Sequence, residues 1–188
     1  FSLPNQNILN PQNENEEILA NINSQDIALI NQVQNTPNLT QTEKNQIVAA
    51  RIGQGYFRRN LIDECNFCPI TGVNDSRLLI ASHIKPWRTS TNQERLAVKN
   101  GFLFTPTYDK LFDKGFISFA NDKRIILSAR ISDDTKGRLN LIARTIYPQL
   151  PLDGREQYLT YHRYNIFKPL HQRICKHILF FASHNAYT

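Results

Sequence analysis

Apolar and polar positions alternate along this chain in two rhythms, a helical one at both ends and a strand-like one in the middle. Near the N-terminus, apolar residues recur at Ile18, Leu19 and Ile22 and again at Ile27, Ile30 and Val33. Spacings of three and four predict short amphipathic helices, and Thr36-Pro37-Asn38 predicts a turn. Thr40 followed by Glu43 has the form of a capping box. A helix is expected from Gln41 to Ile62, with Ile47, Ala50, Phe57 and Leu61 facing inward and a break at Gly53 and Gly55. From Leu78 to Ile84 the pattern suits a strand ending at His83, and Gly101 to Thr105 suits a second. Thr107 is expected to cap a short helix that runs through Phe112 and stops at Gly115. Phe116–Ala120 and Arg124–Leu127 read as strands joined by an Asn121-Asp122-Lys123 turn. Beyond Ser132 the helical rhythm returns. Helices are expected over Leu139–Tyr147 and Glu156–Phe167, separated by Pro148 and Pro151, and the apolar tail Ile174–Phe181 is expected to pack on the core.

This order of elements divides the 188 residues into three parts. Residues 1–45 form an Asn/Gln-rich helical arm, 46–130 a core with its leading helix, and 131–188 a C-terminal helical region packed on that core. The fold class is α+β. Charge follows the same division. Residues 1–45 carry five acids against one base, whereas the rest of the chain is strongly basic within a total of +6. A basic body suits a polyanionic partner, because each Lys or Arg at a phosphate releases counterions. The longest apolar runs, such as Ile178–Ala182, are too short to cross a bilayer, so no membrane partner is expected. Three cysteines, an odd number, argue against a disulfide framework and for a reducing, cytoplasmic compartment. Cys65 and Cys68 lack a second ligand pair nearby. Structural zinc would need Cys175 with His171 or His177, and is not expected. The chain starts at Phe1 and contains no methionine, so further sequence is expected upstream.

Candidate chemistry lies between Cys68 and Phe119. His83 is placed at a strand end, Asn100 in the following loop, and Asp109 and Asp113 one helical turn apart. An imidazole can deprotonate water near neutral pH. Carboxylates at i and i+4 point the same way from a helix, and hard oxygen ligands with open positions favour Mg²⁺ or Mn²⁺. Asn100 can hold the ring or its loop through its amide, and its side-chain carbonyl is also a possible ligand. These are the parts of a one-metal phosphodiesterase. Each has a plainer account: a structural histidine, a solvated pair of aspartates, an Asn-Gly turn. The joint spacing favours the chemical one.

The residues CPITG (68–72), ASHIKPW (81–87), ERL (94–96), NGFLF (100–104) and PTYDKLFDKGFISF (106–119) resemble an HNH nuclease of the ββα-metal class, particularly the subgroup of predicted restriction endonucleases. The resemblance is looser at RIGQGYFRRNL (51–61) and YLTYHRYNIFK (158–168). It implies a ββα-metal nuclease core with flanking N- and C-terminal helices. It also implies His83 as the base that activates water, Asn100 as the motif asparagine, and Asp109 and Asp113 as metal ligands. The chain departs from the pattern twice: Ser82 stands where many such nucleases have a ligating Asp or His, and Asp109 stands where the family often has His. The implied activity is divalent-metal-dependent cleavage of double-stranded DNA, as a type II-like restriction endonuclease or its cleavage domain. One site cuts one strand, so a homodimer is expected for double-strand cleavage. The alternatives are a nicking, homing or toxin-type HNH nuclease, and a DNA-binding module whose nuclease core has decayed. Lys85, Arg88, Lys110 and Arg58 are candidate phosphate contacts, and Ser82, His162 and Arg163 candidate site support. Trp87 is expected to pack beneath the loop, and Arg95 to form an ion pair near Glu94.

Overall fold

The computed structural model describes residues 24–169. The expected helix around Ile18–Ile22 and the apolar tail from Ile174 lie outside them. The chain divides into two compact units, residues 1–60 and 61–188. In the first, α1 (Ser24–Gln34) is followed by the start of α2 (Gln41–Glu64), which continues into the second. The capping box forms: the Thr40 amide donates to Glu43 at 2.8 Å, and the Glu43 amide donates back to the Thr40 hydroxyl at 3.3 Å. The expected break at Gly53 and Gly55 does not occur, because α2 runs through both.

In the second unit, strand β1 (Ile80–His83) pairs antiparallel with β2 (Gly101–Phe104), with His83 opposite Gly101 and Ile80 opposite Phe104. Between them lie a one-turn 3₁₀ helix at Trp87–Thr89 and the short helix α3 (Asn92–Leu96). Helix α4 (Pro106–Asp113) follows and packs against both strands. Its cap is Thr105, not Thr107. Pro106 then occupies the first helical position, where the missing N–H costs nothing and the fixed φ suits the turn. A second hairpin, β3 (Ile117–Phe119) with β4 (Ile125–Leu127), is closed by Lys123 at a φ of 68°.

The expected helix over Leu139–Tyr147 is absent. A shorter one, α5 (Asp133–Arg138), forms earlier, capped by Ser132. Asn140 and Arg144 adopt positive φ, which no right-handed helix accommodates. The segment instead lies along β4, where Ile125 N–H donates to Thr145 O at 2.9 Å and Arg124 bridges to Ile146. Helix α6 (Glu156–Asn165) closes the described chain.

Four phenylalanines join these elements. Phe102 and Phe104 share one face of β2, as alternate strand residues must. Their rings meet those of Phe112 from α4 and Phe119 from β3, with centroids 5.4–6.1 Å apart. Tilted and edge contacts at such spacings suit the ring quadrupoles. His162 of α6 stacks flat on Phe112 at 3.8 Å. The helix that carries the two aspartates is thereby fixed from below by apolar burial.

Candidate active site

His83 ends β1 and sits beside the loop that leads to α3. Its Nε2 lies 2.9 Å from the carbonyl oxygen of Arg95. A carbonyl only accepts, so this contact assigns the proton to Nε2 and leaves the lone pair of the neutral ring on Nδ1. Burial pushes the imidazole below its ordinary pKa, and the Arg95 carbonyl only partly opposes this. The ring is therefore neutral near pH 7, the form a general base needs.

What places the Arg95 carbonyl is a second set of contacts. Trp87 meets the His83 ring edge-on at 5.6 Å. The Arg95 guanidinium lies over Trp87 at 5.1 Å and donates to the Trp87 carbonyl at 3.0 Å and to Asn92 Oδ1 at 3.0 Å. Arg95 thus acts through hydrogen bonds and a ring face, not through the ion pair expected from its neighbours. Glu94 is committed to Lys85, whose ammonium it holds at 2.7 Å, and to the capping box with Thr91. That hydrogen bond from Lys85, followed by the one from Thr91, keeps the Glu94 carboxyl below its ordinary range. Lys85, a candidate phosphate contact, is engaged here with Glu94 and lies 5.3 Å from the centre of the Tyr161 ring.

Asn100 is fully buried beneath this loop. Its Oδ1 accepts from the Lys85 amide at 2.8 Å. Its Nδ2 donates to Glu94 O at 3.0 Å, Lys85 O at 3.2 Å and Ser90 Oγ at 3.4 Å. One side chain thereby closes both ends of the 85–94 loop. Of the roles open to it, holding the loop is the one these contacts perform, and its Oδ1 is occupied by a backbone donor.

Asp109 is half-buried on α4 and Asp113 is exposed one turn further on. Burial raises the Asp109 carboxyl above its ordinary range; the Ser82 hydroxyl and the charge of Lys110 oppose this, and the charge of Asp113 adds to it. Ser82 itself is buried. Asp113 forms an ion pair with its neighbour Lys114 at 3.1 Å. Among the described residues, no group of three or more His, Cys, Asp or Glu is arranged to hold a metal ion. The residues nevertheless fit Mg²⁺ or Mn²⁺: Mg²⁺ is commonly held by one or two carboxylates and completes its shell with water and phosphate oxygens. Asp109 and Asp113 are the two carboxylates that α4 offers to such an ion.

The remaining candidates are dispersed. Arg88 and Lys110 are exposed, and Arg58 belongs to the first unit. His162 is buried, with Nδ1 3.0 Å from the Ser118 hydroxyl and Nε2 3.0 Å from the Phe112 carbonyl. It therefore supports α4 from the core side. Burial depresses its pKa to about 4. Arg163 donates to Phe119 O at 2.8 Å and to Thr160 Oγ1 at 2.9 Å. Cys68 is buried in a tight turn closed at Gly72, and Cys65 is a free thiol. No helix among the described residues is long and apolar enough to cross a membrane.

A neutral histidine held through its far nitrogen thus sits on a strand that packs against a helix carrying two carboxylates. Residues 68–120 match a family model described as HNH endonuclease. The match supports nuclease activity for this segment, and with it DNA as the substrate class and a divalent metal as the usual partner. No curated protein matches the chain.

Proposed function

We propose that the protein is a divalent-metal-dependent DNA endonuclease with a ββα-metal core formed by β1, β2 and α4, acting as a type II-like restriction enzyme or its cleavage domain. The observation that carries this reading is the 2.9 Å contact from His83 Nε2 to Arg95 O, inside a loop that Asn100 closes at both ends. With Nε2 committed to that carbonyl, Nδ1 is the nitrogen that would act on a water attacking phosphorus. His83 takes the proton of that water. Asp109 and Asp113 would hold the cation, with Ser82, which hydrogen-bonds Asp109, orienting it from β1. When bound, the cation supplies Lewis-acid stabilisation of the pentacovalent phosphate and of the leaving 3′ oxygen. Arg88 and Lys110, both exposed, are available to phosphates. Lys85 serves the loop through Glu94. One such site cuts one strand, so double-strand cleavage would engage two copies of the chain, most economically as a symmetric dimer.

The test is cleavage of mixed-sequence DNA in EDTA, Mg²⁺ and Mn²⁺, beside a His83→Ala variant. Discrete fragments that require metal and vanish in the variant are expected. Binding without cleavage in either metal would instead favour a decayed DNA-binding module, with Ser82 as its trace. Cleavage that survives in the variant would place the base elsewhere.

A further inference from the structure

Among the described residues Arg155 is the largest fully buried side chain, and it lies outside the stretch that matches the nuclease family. It flanks the N-terminus of α6 and makes no side-chain capping bond there. Both facts are locally unfavourable. Helix N-caps favour Ser, Thr, Asp or Asn, and a helix N-terminus repels a cation. A fully buried guanidinium also needs most of its donors satisfied.

Its partners explain its place. Nε donates to the Gly101 carbonyl at 2.9 Å, Nη1 to Glu64 at 3.1 Å, and Nη2 approaches the Val98 carbonyl at 3.5 Å. The guanidinium also lies 5.7 Å from the centre of the Phe102 ring. Val98 and Gly101 bracket Asn100 in the chain, and Gly101 is the strand partner of His83. The Asn100 carbonyl, between them, accepts from Ile84 N–H at 3.0 Å. One planar fork therefore grips the backbone on both sides of the asparagine that closes the 85–94 loop.

We infer that Arg155 is a positioning residue for the His83 half of the site, acting through the Asn100 backbone. This rests on the nuclease reading above. Lysine cannot substitute, because a single ammonium cannot span three acceptors held in the plane of a guanidinium. In Arg155→Lys the Val98–Gly101 segment loosens, Asn100 loses its register against Lys85, and the Arg95 carbonyl no longer fixes the His83 ring.

The experiment is residue-resolved amide hydrogen exchange on the full chain, paired with cleavage kinetics. The Lys85 amide, which donates to Asn100, is the probe; the Ile125 amide, which donates to Thr145, is the control. In Arg155→Lys, exchange at Lys85 is expected to quicken by about tenfold or more with Ile125 within about twofold, as for a local opening. Over the same change kcat should fall by about tenfold while KM stays within about twofold, as for a group that acts on the reacting geometry. Unchanged protection at Lys85, or equal loss at Lys85 and Ile125, overturns the inference, the second outcome meaning general stability alone. Should Arg155→Lys fail to fold, Glu64→Gln weakens the same grip and should shift Lys85 in the same direction; no shift there overturns it too. A wild-type protein that does not cut DNA would refute the nuclease reading, while the exchange result would still decide whether Arg155 positions Asn100.

Discussion

Asn100 and Lys85 exchange two hydrogen bonds across fifteen residues of chain, amide to Oδ1 at 2.8 Å and Nδ2 to carbonyl at 3.2 Å. The pair works as a stitch in the backbone. It lets an irregular loop leave a strand, carry Trp87 and Glu94, and return to the next strand in fixed register. Asn100→Ala orphans the part-buried Lys85 N–H and the carbonyl of Glu94, each costing about 1–3 kcal/mol. Urea unfolding should report a loss of about 2–4 kcal/mol, with metal-dependent cleavage falling in step. A loss below about 1 kcal/mol would mean that water replaces the amide and the stitch is dispensable.

Gly115 ends α4 at a φ of 70°, and a Cβ built there would lie within 2.0 Å of the Ile166 carbonyl oxygen. Gly72 has nearly the same φ, 73°, with nothing within 4 Å. The two positions separate backbone strain from steric exclusion. Gly72→Ala should cost about 1 kcal/mol, the left-handed penalty alone. Gly115→Ala should cost at least about 2 kcal/mol more, because backbone cannot yield as a flexible side chain does. Equal costs in thermal or urea melts would show that the segment after α6 moves freely away from α4.

The central elements were legible in the sequence because each is short and bounded by punctuation. Gly101 and Thr105-Pro106 frame β2, Gly115 stops α4, and Asn121-Asp122-Lys123 turns the hairpin. Apolar spacing misled at Leu139–Tyr147, where local periodicity lost to pairing with β4 and to the positive φ of Asn140 and Arg144. Glycine propensity misled at Gly53 and Gly55, since a helix can absorb two glycines that burial and neighbours support. His83, Asn100, Asp109 and Asp113 stood out by residue type and spacing. Arg155 did not, because the ion pair that defines it joins residues 91 apart in the chain and no local pattern marks it. Lys85 misled for the same reason: a lysine beside a candidate base looks available until Glu94 is seen to hold it.

His162 gives the fold a pH dependence. Its pKa falls from 6.5 to about 4, first through burial. The unfolded chain binds the proton between these values and the native state does not. Stability is therefore full above about pH 6.5 and is lost as pH falls toward 4. The full shift corresponds to about 3 kcal/mol. Urea unfolding at pH 7.5 and pH 4.5 should show wild type losing about 2–3 kcal/mol more than His162→Gln between the two values. The comparison with the variant isolates His162 from the carboxylates that titrate in the same range. Parallel losses in both proteins would mean that the core admits the imidazolium, with Ser118 turning to accept from it.

Ser82 offers a test of the metal reading that does not depend on cleavage. Its hydroxyl bonds the Asp109 carboxylate, and it is buried, so little solvent screens a charge placed there. Ser82→Asp would set a third carboxylate beside Asp109 and Asp113. In EDTA the like charges should repel, lowering the melting temperature and raising the pKa of one member. With Mn²⁺ the same three oxygens become ligands, and the protein should regain stability as ligand binds the native state only, by about 3 kcal/mol at 100 times Kd. Wild type, with two carboxylates, should gain less at the same Mn²⁺ concentration. The decisive quantity is the difference between the two Mn²⁺-induced shifts. If Ser82→Asp is destabilised in EDTA and Mn²⁺ restores no more than it gives wild type, the ion does not sit between β1 and α4. Asp109 and Asp113 would then be a solvated pair on a helix surface. A larger shift in the variant would place the ion at Asp109 by direct competition with charge repulsion, whether or not DNA is cut.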